Sequence, residues 1–279
     1  MVVAHLLAGL FAVSLTATTV MFILAWYDHV NFRATPDDPA WREGASFLPT
    51  VKAVLFESAA MFVCLAAYPL HFYYDRRPRA ARPDGGDPVL FVHGWGMGSH
   101  VFLVIRRLLR RMGRNNLYAV TWRPYLGNTR KLARQVADRI DEIAEQTGGR
   151  KVTLITHSMG GVLARYALKN LGAAGKVDKV VTLGGPHMGS RVAVLCPWGK
   201  NTLQMTYDSS FVKELAQGGL TPGGARYVSI WSGFDNAVLP PASSDLGEGA
   251  KNIVVPYHGH MSLLMSPKVL RLVKKEMQD

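Results

Sequence analysis

Ser158 stands between a short β-branched, apolar run, Val152 to Thr156, and an apolar segment that opens at Gly160-Gly161. A serine hydroxyl becomes a nucleophile when a neighbouring base takes its proton, and it is most reachable at the tip of a tight strand-to-helix turn. Thr156-His157-Ser158-Met159-Gly160 has that form: a buried strand, a sharp turn and a helix starting beneath the serine. The turn lifts the hydroxyl clear of the sheet and aims a helix N-terminus, with its unpaired N–H groups, at the reacting atoms. Gly160 and Gly161 suit the crowding there, where a Cβ would meet the neighbouring strand or helix. The usual pattern is G-x-S-x-G; Thr156 takes its first position and is still small. The alternative is an ordinary helix start in which Ser158 is only the N-cap.

A base and an acid are then expected after two later strands. Ser229-Ile-Trp-Ser-Gly-Phe-Asp235 reads as a strand running into a loop that carries Asp235, and Val254-Val-Pro-Tyr-His258-Gly-His260 as a strand, a loop with two histidines and a final helix. Asp235 would hold an imidazole in one tautomer, and that imidazole would serve first as base and then as acid. Asp245 is a less well-placed competitor, and His258 and His260 both meet the spacing. Earlier, Val89-Leu-Phe-Val-His93-Gly94-Trp95-Gly96-Met-Gly98 is a buried strand opening into a glycine-rich loop. The backbone N–H groups of Trp95 and Met159 are the expected oxyanion donors, with His93, Gly94, His157 and Gly160 supporting the pocket. This loop lacks the lysine and spacing of a phosphate-binding loop.

The elements that must position these residues follow from the pattern of the whole chain. At 279 residues it can hold one large domain and an appendage. Cys64 and Cys196 are far apart and rule out a disulfide framework, and no C-x-x-C or H-E-x-x-H spacing occurs, so no metal and no cofactor is expected. Lys and Arg outnumber Asp and Glu by 32 to 20, which calls for an anionic partner. No nucleic-acid-binding motif is present. Instead the arginines flank apolar segments: Arg76, Arg77, Arg79 and Arg82 follow one, and Arg106, Arg107, Arg110, Arg111 and Arg114 lie in a Leu/Val-rich helix. That favours an anionic membrane surface, at about 1 kcal/mol per basic residue close to it. For the second cluster a merely solvated basic face is the alternative.

Residues 1–74 read as a membrane region. Val2 to Tyr27, about 26 residues without a charge, is long enough to cross a bilayer and ends in Trp26 and Tyr27, where an aromatic belt belongs. The run is too long, and its start lacks the Lys or Arg, for a cleaved signal. Residues 28–50 form a polar loop with Pro36, Pro39 and Pro49, and Val51 to Tyr74 is apolar again. This second segment is expected to span, or else to lie on the membrane or on the enzyme. Its Glu57 would have to sit at the interface, become protonated or pair with Lys52. Arg33 and Arg42 in the loop are outnumbered by the four arginines after the second segment, which puts the main domain on the cytoplasmic side. Residues 75–87 are a basic Pro/Gly linker. From 88 to 279 short apolar strands alternate with amphipathic helices, the mark of a mostly parallel sheet with helical crossovers. Strands are expected at 89–93, 117–122, 152–156, 179–183, 226–231 and 252–255, and helices near 100–112, 128–146, 161–171 and 262–277. Residues 186–224 break the alternation, as a lid or an ordinary helical excursion would.

Taken in order, V-L-F-V-H-G-W-G, T-H-S-M-G-G, L-G-G-P-H-M-G-S at Leu183–Ser190, S-G-x-D-x-x-V-x-P and G-H-M-S-L-L resemble the α/β-hydrolase superfamily, in its lipase and carboxylesterase branch. The resemblance covers about Pro88 onward and departs at Thr156 and Gly185. It implies the α/β-hydrolase fold with about six strands, and Ser158 as nucleophile, Asp235 as acid and His260 as base. His260 is preferred because the family's catalytic histidine directly precedes this kind of M-S-L-L helix start. The expected activity is hydrolysis of a lipid-like ester through an acyl-enzyme, by a membrane-anchored protein. Acyl transfer to an alcohol, thioester cleavage, or a non-catalytic tethered binding module are the alternatives.

Overall fold

The computed structural model describes residues 1–32, 47–72, 81–82 and 85–278. Six strands form one parallel sheet in the order β2-β1-β3-β4-β5-β6: β1 Val89–Val92, β2 Leu117–Val120, β3 Val152–His157, β4 Val177–Leu183, β5 Arg226–Trp231 and β6 Ala250–Val254. Every pairing is parallel, so each crossover must carry the chain back over a face of the sheet, and both faces are covered. The central strands are accordingly largely apolar and buried, with successive side chains sent to opposite layers, whereas the edge strand β6 is only half-buried and carries Lys251 and Asn252. In β1, Leu90 and Val92 join one core with Leu154 and Val180, while Val89 and Phe91 join the other with Ile155 and Val181.

The first layer is built by α4 (Thr129–Gln146) and α5 (Met159–Asn170). In α4 the Asn128 side chain caps the first turn by accepting from Arg130 N–H, and Leu132, Val136, Ile140 and Ile143 form its buried stripe. The second layer holds α3 (Leu103–Arg111) and α8 (Pro267–Glu276), through Ile105, Leu109, Val269 and Val273. It also takes in the N-terminal region. Helices α1 (Val2–Asn31) and α2 (Phe47–Ala66) pack together, with Phe11 edge-on to Phe62, and α2 seats Ala60 and Cys64 in the second core. Both helices are long and apolar enough to cross a membrane. Their buried residues are few: Ser14, Thr18, Ala25 and Asp28 on α1, and Ala53, Glu57, Ser58, Ala60 and Cys64 on α2.

Several expected boundaries move for identifiable reasons. The second apolar segment leaves the α-helix at Ala66 and tightens into a 3₁₀ turn, Tyr68–Leu70, because Pro69 brings no N–H. The last helix starts at Pro267, capped by Ser266, after a separate 3₁₀ turn at Ser262–Leu264. Arg106 is not on the basic surface: it is buried, lies over the Phe91 ring and donates to Leu117 O. Within 186–224, α6 (Lys200–Gln204) and α7 (Ser210–Ala216) are joined to the first core through Met205, Phe211, Val212 and Leu215, whereas Val194, Leu195, Trp198 and Leu203 are exposed. Arg33, Arg42, Arg76, Arg77 and Arg79, on which the sidedness expectation rests, lie outside the described residues.

Candidate active site

In the strand order, β1 lies between β2 and β3, so the chain leaves β1 in one direction and returns on its other side. Ligands of such sheets bind at the carboxyl ends of the strands, beside this reversal. Here the loops after β1 and β3 interlock. A Cβ on Gly94 would lie 2.7 Å from Ser158 Cβ and 3.2 Å from its Oγ, so only glycine lets the loop approach the hydroxyl. Gly160 rests on the end of β1 in the same way, with a Cβ placed 2.8 Å from the Val92 carbonyl carbon and 2.9 Å from His93 O. Ser158 itself turns with φ 55° and ψ −133°, a conformation that costs a non-glycine residue about 1–3 kcal/mol. It is pinned there by its N–H, which donates to Leu183 O, and its carbonyl, which accepts from Gly161 N–H, both at 3.0 Å.

Next to Leu183, at the end of β4, Gly184 adopts φ +57° and seats the acid and the imidazole: its missing Cβ would meet Asp235 Oδ2 at 3.0 Å and His260 Nδ1 at 3.2 Å. His260 Nδ1–H donates to Asp235 Oδ2 at 2.8 Å. The other oxygen, Oδ1, accepts from Ala237 N–H at 2.8 Å and Val238 N–H at 2.9 Å, so this buried carboxylate is satisfied on both sides. The His260 N–H donates to Asn236 Oδ1 at 2.9 Å. Its carbonyl accepts from His157 Nε2 at 3.2 Å, and the two histidine rings lie 4.6 Å apart. With Nδ1 carrying the proton, Nε2 is left as the free basic nitrogen.

Burial would lower the His260 pKa, but the charge and hydrogen bond of Asp235, and then the charge of Glu57, hold it above the ordinary histidine value. His157 moves the other way: burial, and then the charge of His260, keep it neutral well below that value. His93 closes the β1 side, its Nδ1–H donating to Gly94 O at 2.8 Å while its ring stacks on Trp122. Trp95 follows on the exposed loop, and Met159 is the first residue of α5, where N–H groups have no partner within the helix.

The competitors fall elsewhere. His258 is bonded through Nδ1 to Pro256 O at 2.6 Å and through Nε2 to Ser266 Oγ at 2.7 Å. Asp245 accepts from Gly247 N–H in a turn. Gly184 and Asn236 are not among the expected site residues, and Glu57 is expected only as a carboxylate of the membrane region. Glu57 reaches out of α2 to accept from Met261 N–H and Ser262 N–H, each at 2.7 Å, and its side chain is wholly buried. It pairs with backbone rather than with Lys52. The only sequence signal was a lone carboxylate in an apolar run.

A family model described as the alpha/beta hydrolase family matches residues 89–245. Aspergillus fumigatus lipase B superposes with a TM-score of 0.66 at 19% identity, covering 75% of this chain, which spans only 56% of that protein's length. The mature form of Bacillus licheniformis lipase BlEst2 superposes with a TM-score of 0.56 at 22% identity, covering 73% of this chain and 94% of that one. With more than half of its length matched by the family model and the parallel sheet in place, the chain belongs to the alpha/beta hydrolase family.

Proposed function

We propose that the protein is a membrane-anchored serine ester hydrolase acting on lipid-like carboxylic esters. The observation that carries this reading is the 2.8 Å bond from His260 Nδ1 to Asp235 Oδ2, made against Gly184 and one residue beyond the carbonyl that pins Ser158. His260 Nε2 takes the proton of Ser158 as Oγ attacks the ester carbonyl, and Asp235 stabilises the imidazolium. Trp95 N–H and Met159 N–H receive the oxyanion, His260 returns the proton to the leaving alkoxide, and water releases the acyl group by the same steps.

The lipid-like substrate is inferred from the surroundings. Helix α1 leaves Val2, Val3, Leu6, Val13, Val20, Ile23 and Trp26 exposed, a surface suited to lipid, and Leu195, Trp198 and Leu203 add apolar exposure from 186–224, the proposed lid. Arg107, Arg110 and Arg111 on α3 and Lys268, Arg271, Lys274 and Lys275 on α8 are exposed on the sheet face that α2 covers, which suits anionic headgroups. The two lipases of similar fold are consistent with an ester substrate. The cytoplasmic placement of the domain rests on the arginine asymmetry of the sequence.

A fluorophosphonate probe should label the folded protein, and Ser158→Ala should lose the label. His260→Ala should abolish ester turnover, and His258→Ala should retain it. Failure of the folded wild-type protein to label would sink the reading.

A further inference from the structure

Every hydrogen-bonding group of the His260 backbone is held by another part of the chain, and so are the two N–H groups that follow it. The Glu57 carboxylate spans Met261 N–H and Ser262 N–H, one to each oxygen, at the 2.7 Å of charge-assisted bonds. The residue before His260 is fitted to the same group. Gly259 leaves no room for a Cβ, which would lie 2.5 Å from Glu57 Oε2 and 2.6 Å from its Cγ. Phe56, next on α2, sets its ring edge-on to His258 at 6.4 Å. Helix α2 thus grips the histidine loop on both sides of His260. A buried carboxylate is costly unless it is bonded, and these bonds compensate it only while the loop keeps this shape. The ionisable groups facing Glu57 are His260 and Asp235 from the domain, with Cys64 on its own helix.

We propose that Glu57, carried by the N-terminal hairpin, is a positioning residue for His260: it fixes the loop that presents the imidazole and places a second negative charge behind it. This rests on the serine-hydrolase reading above. In that reading the imidazolium formed during attack is stabilised by Asp235 through the ring and by Glu57 through space. The hairpin is then part of the active-site wall as well as an anchor.

The test uses the full chain in detergent micelles with a short, soluble p-nitrophenyl ester, rates being normalised to the sites that fluorophosphonate titrates. Glu57→Gln should lower kcat about 10-fold or more with little change in KM, as a misplaced catalytic group does. Its acid limb of kcat/KM should move to lower pH, because a negative charge facing His260 is gone. Gly259→Ala should lower kcat by displacing the carboxylate, and the double variant should be no worse than the weaker single one. If Glu57→Gln does not fold, Glu57→Asp replaces it, keeping the charge but retracting it by one methylene: a lowered kcat supports the role. Wild-type kcat and an unmoved acid limb in Glu57→Gln, or wild-type kcat in Glu57→Asp, overturn it. A wild-type protein that neither labels nor turns over ester refutes the underlying hydrolase reading instead.

Discussion

Adding one methyl group at Gly160 tests how the two halves of the site are held. The Cβ of Gly160→Ala would sit 2.8 Å from the Val92 carbonyl carbon and 2.9 Å from His93 O, and nearer still to Val92 O. These are backbone atoms at the end of β1, so no side chain can rotate away. Restoring ordinary contact of about 3.5 Å requires α5 and β1 to part by something near 1 Å. Met159 rides on α5 and Trp95 follows β1, so the separation widens the proposed oxyanion site itself. A displacement of that size costs about 100-fold in rate, equivalent to about 2.7 kcal/mol of transition-state stabilisation. Overpacking adds about 1–3 kcal/mol of lost stability. The assay is kcat/KM on a soluble ester together with the urea midpoint. Gly175→Ala is the control, since that exposed glycine has nothing within 4 Å of an added Cβ. If Gly160→Ala stays within threefold of wild type in kcat/KM, these loops are not interlocked by contact.

Two further outcomes follow from other parts of the molecule. His157 and His187 are buried and held neutral well below the usual histidine range, chiefly by burial, so below pH ~6.5 the unfolded chain binds protons that the folded chain refuses. Their stability contribution is present above that pH and is lost as pH falls, at about 1.4 kcal/mol per unit for each. His260, raised, has the opposite sign: its contribution is full below the unfolded value and fades as pH rises through the folded one. The urea midpoint should therefore fall from pH 6.5 to 5.5, and a flat profile there would refute the buried neutral pair. At the end of α1, Arg191 Nη1 donates to both Asp28 oxygens, at 2.9 and 2.8 Å, and its guanidinium lies over Phe32 and Tyr207. A double-mutant cycle of Asp28→Ala and Arg191→Ala in detergent should return a coupling of about 1–3 kcal/mol, and additive losses would refute the pairing.

The sheet was legible because its strands are short, mostly apolar and separated by helical periods, so that buried parallel strands needed no partner information. The loops carrying Ser158, Asp235 and His260 were legible for a related reason. Each follows such a strand, and the carboxyl ends of parallel strands lie along one edge of the sheet. Strand spacing alone leaves two histidines two residues apart, and the preference for His260 comes from the family resemblance of the M-S-L-L start that follows it. In the structure it turns on which ring reaches Asp235, and on Ser266 occupying the other. In sequence Glu57 is only a carboxylate costly in lipid, because its partners are peptide N–H groups about 200 residues away that leave no mark on composition. The stretch 186–224 was similarly opaque. Phe211, Val212 and Leu215 are buried while Val194, Leu195 and Trp198 are exposed, a division set by which helix lands on the first core.

The seat of Glu57 also orders events during synthesis. The helix that carries this carboxylate leaves the ribosome before the N–H groups that compensate it, which lie 204 and 205 residues further along the chain. Until their loop arrives, the acid must wait in water or at a membrane interface. Contacts of such long sequence separation form late and slow the final closure of a fold. A nascent chain would therefore carry its apolar hairpin, its nucleophile and most of its sheet well before the histidine loop could be locked. Under the proposed reading, hydrolytic competence would then wait until the histidine loop docks against α2.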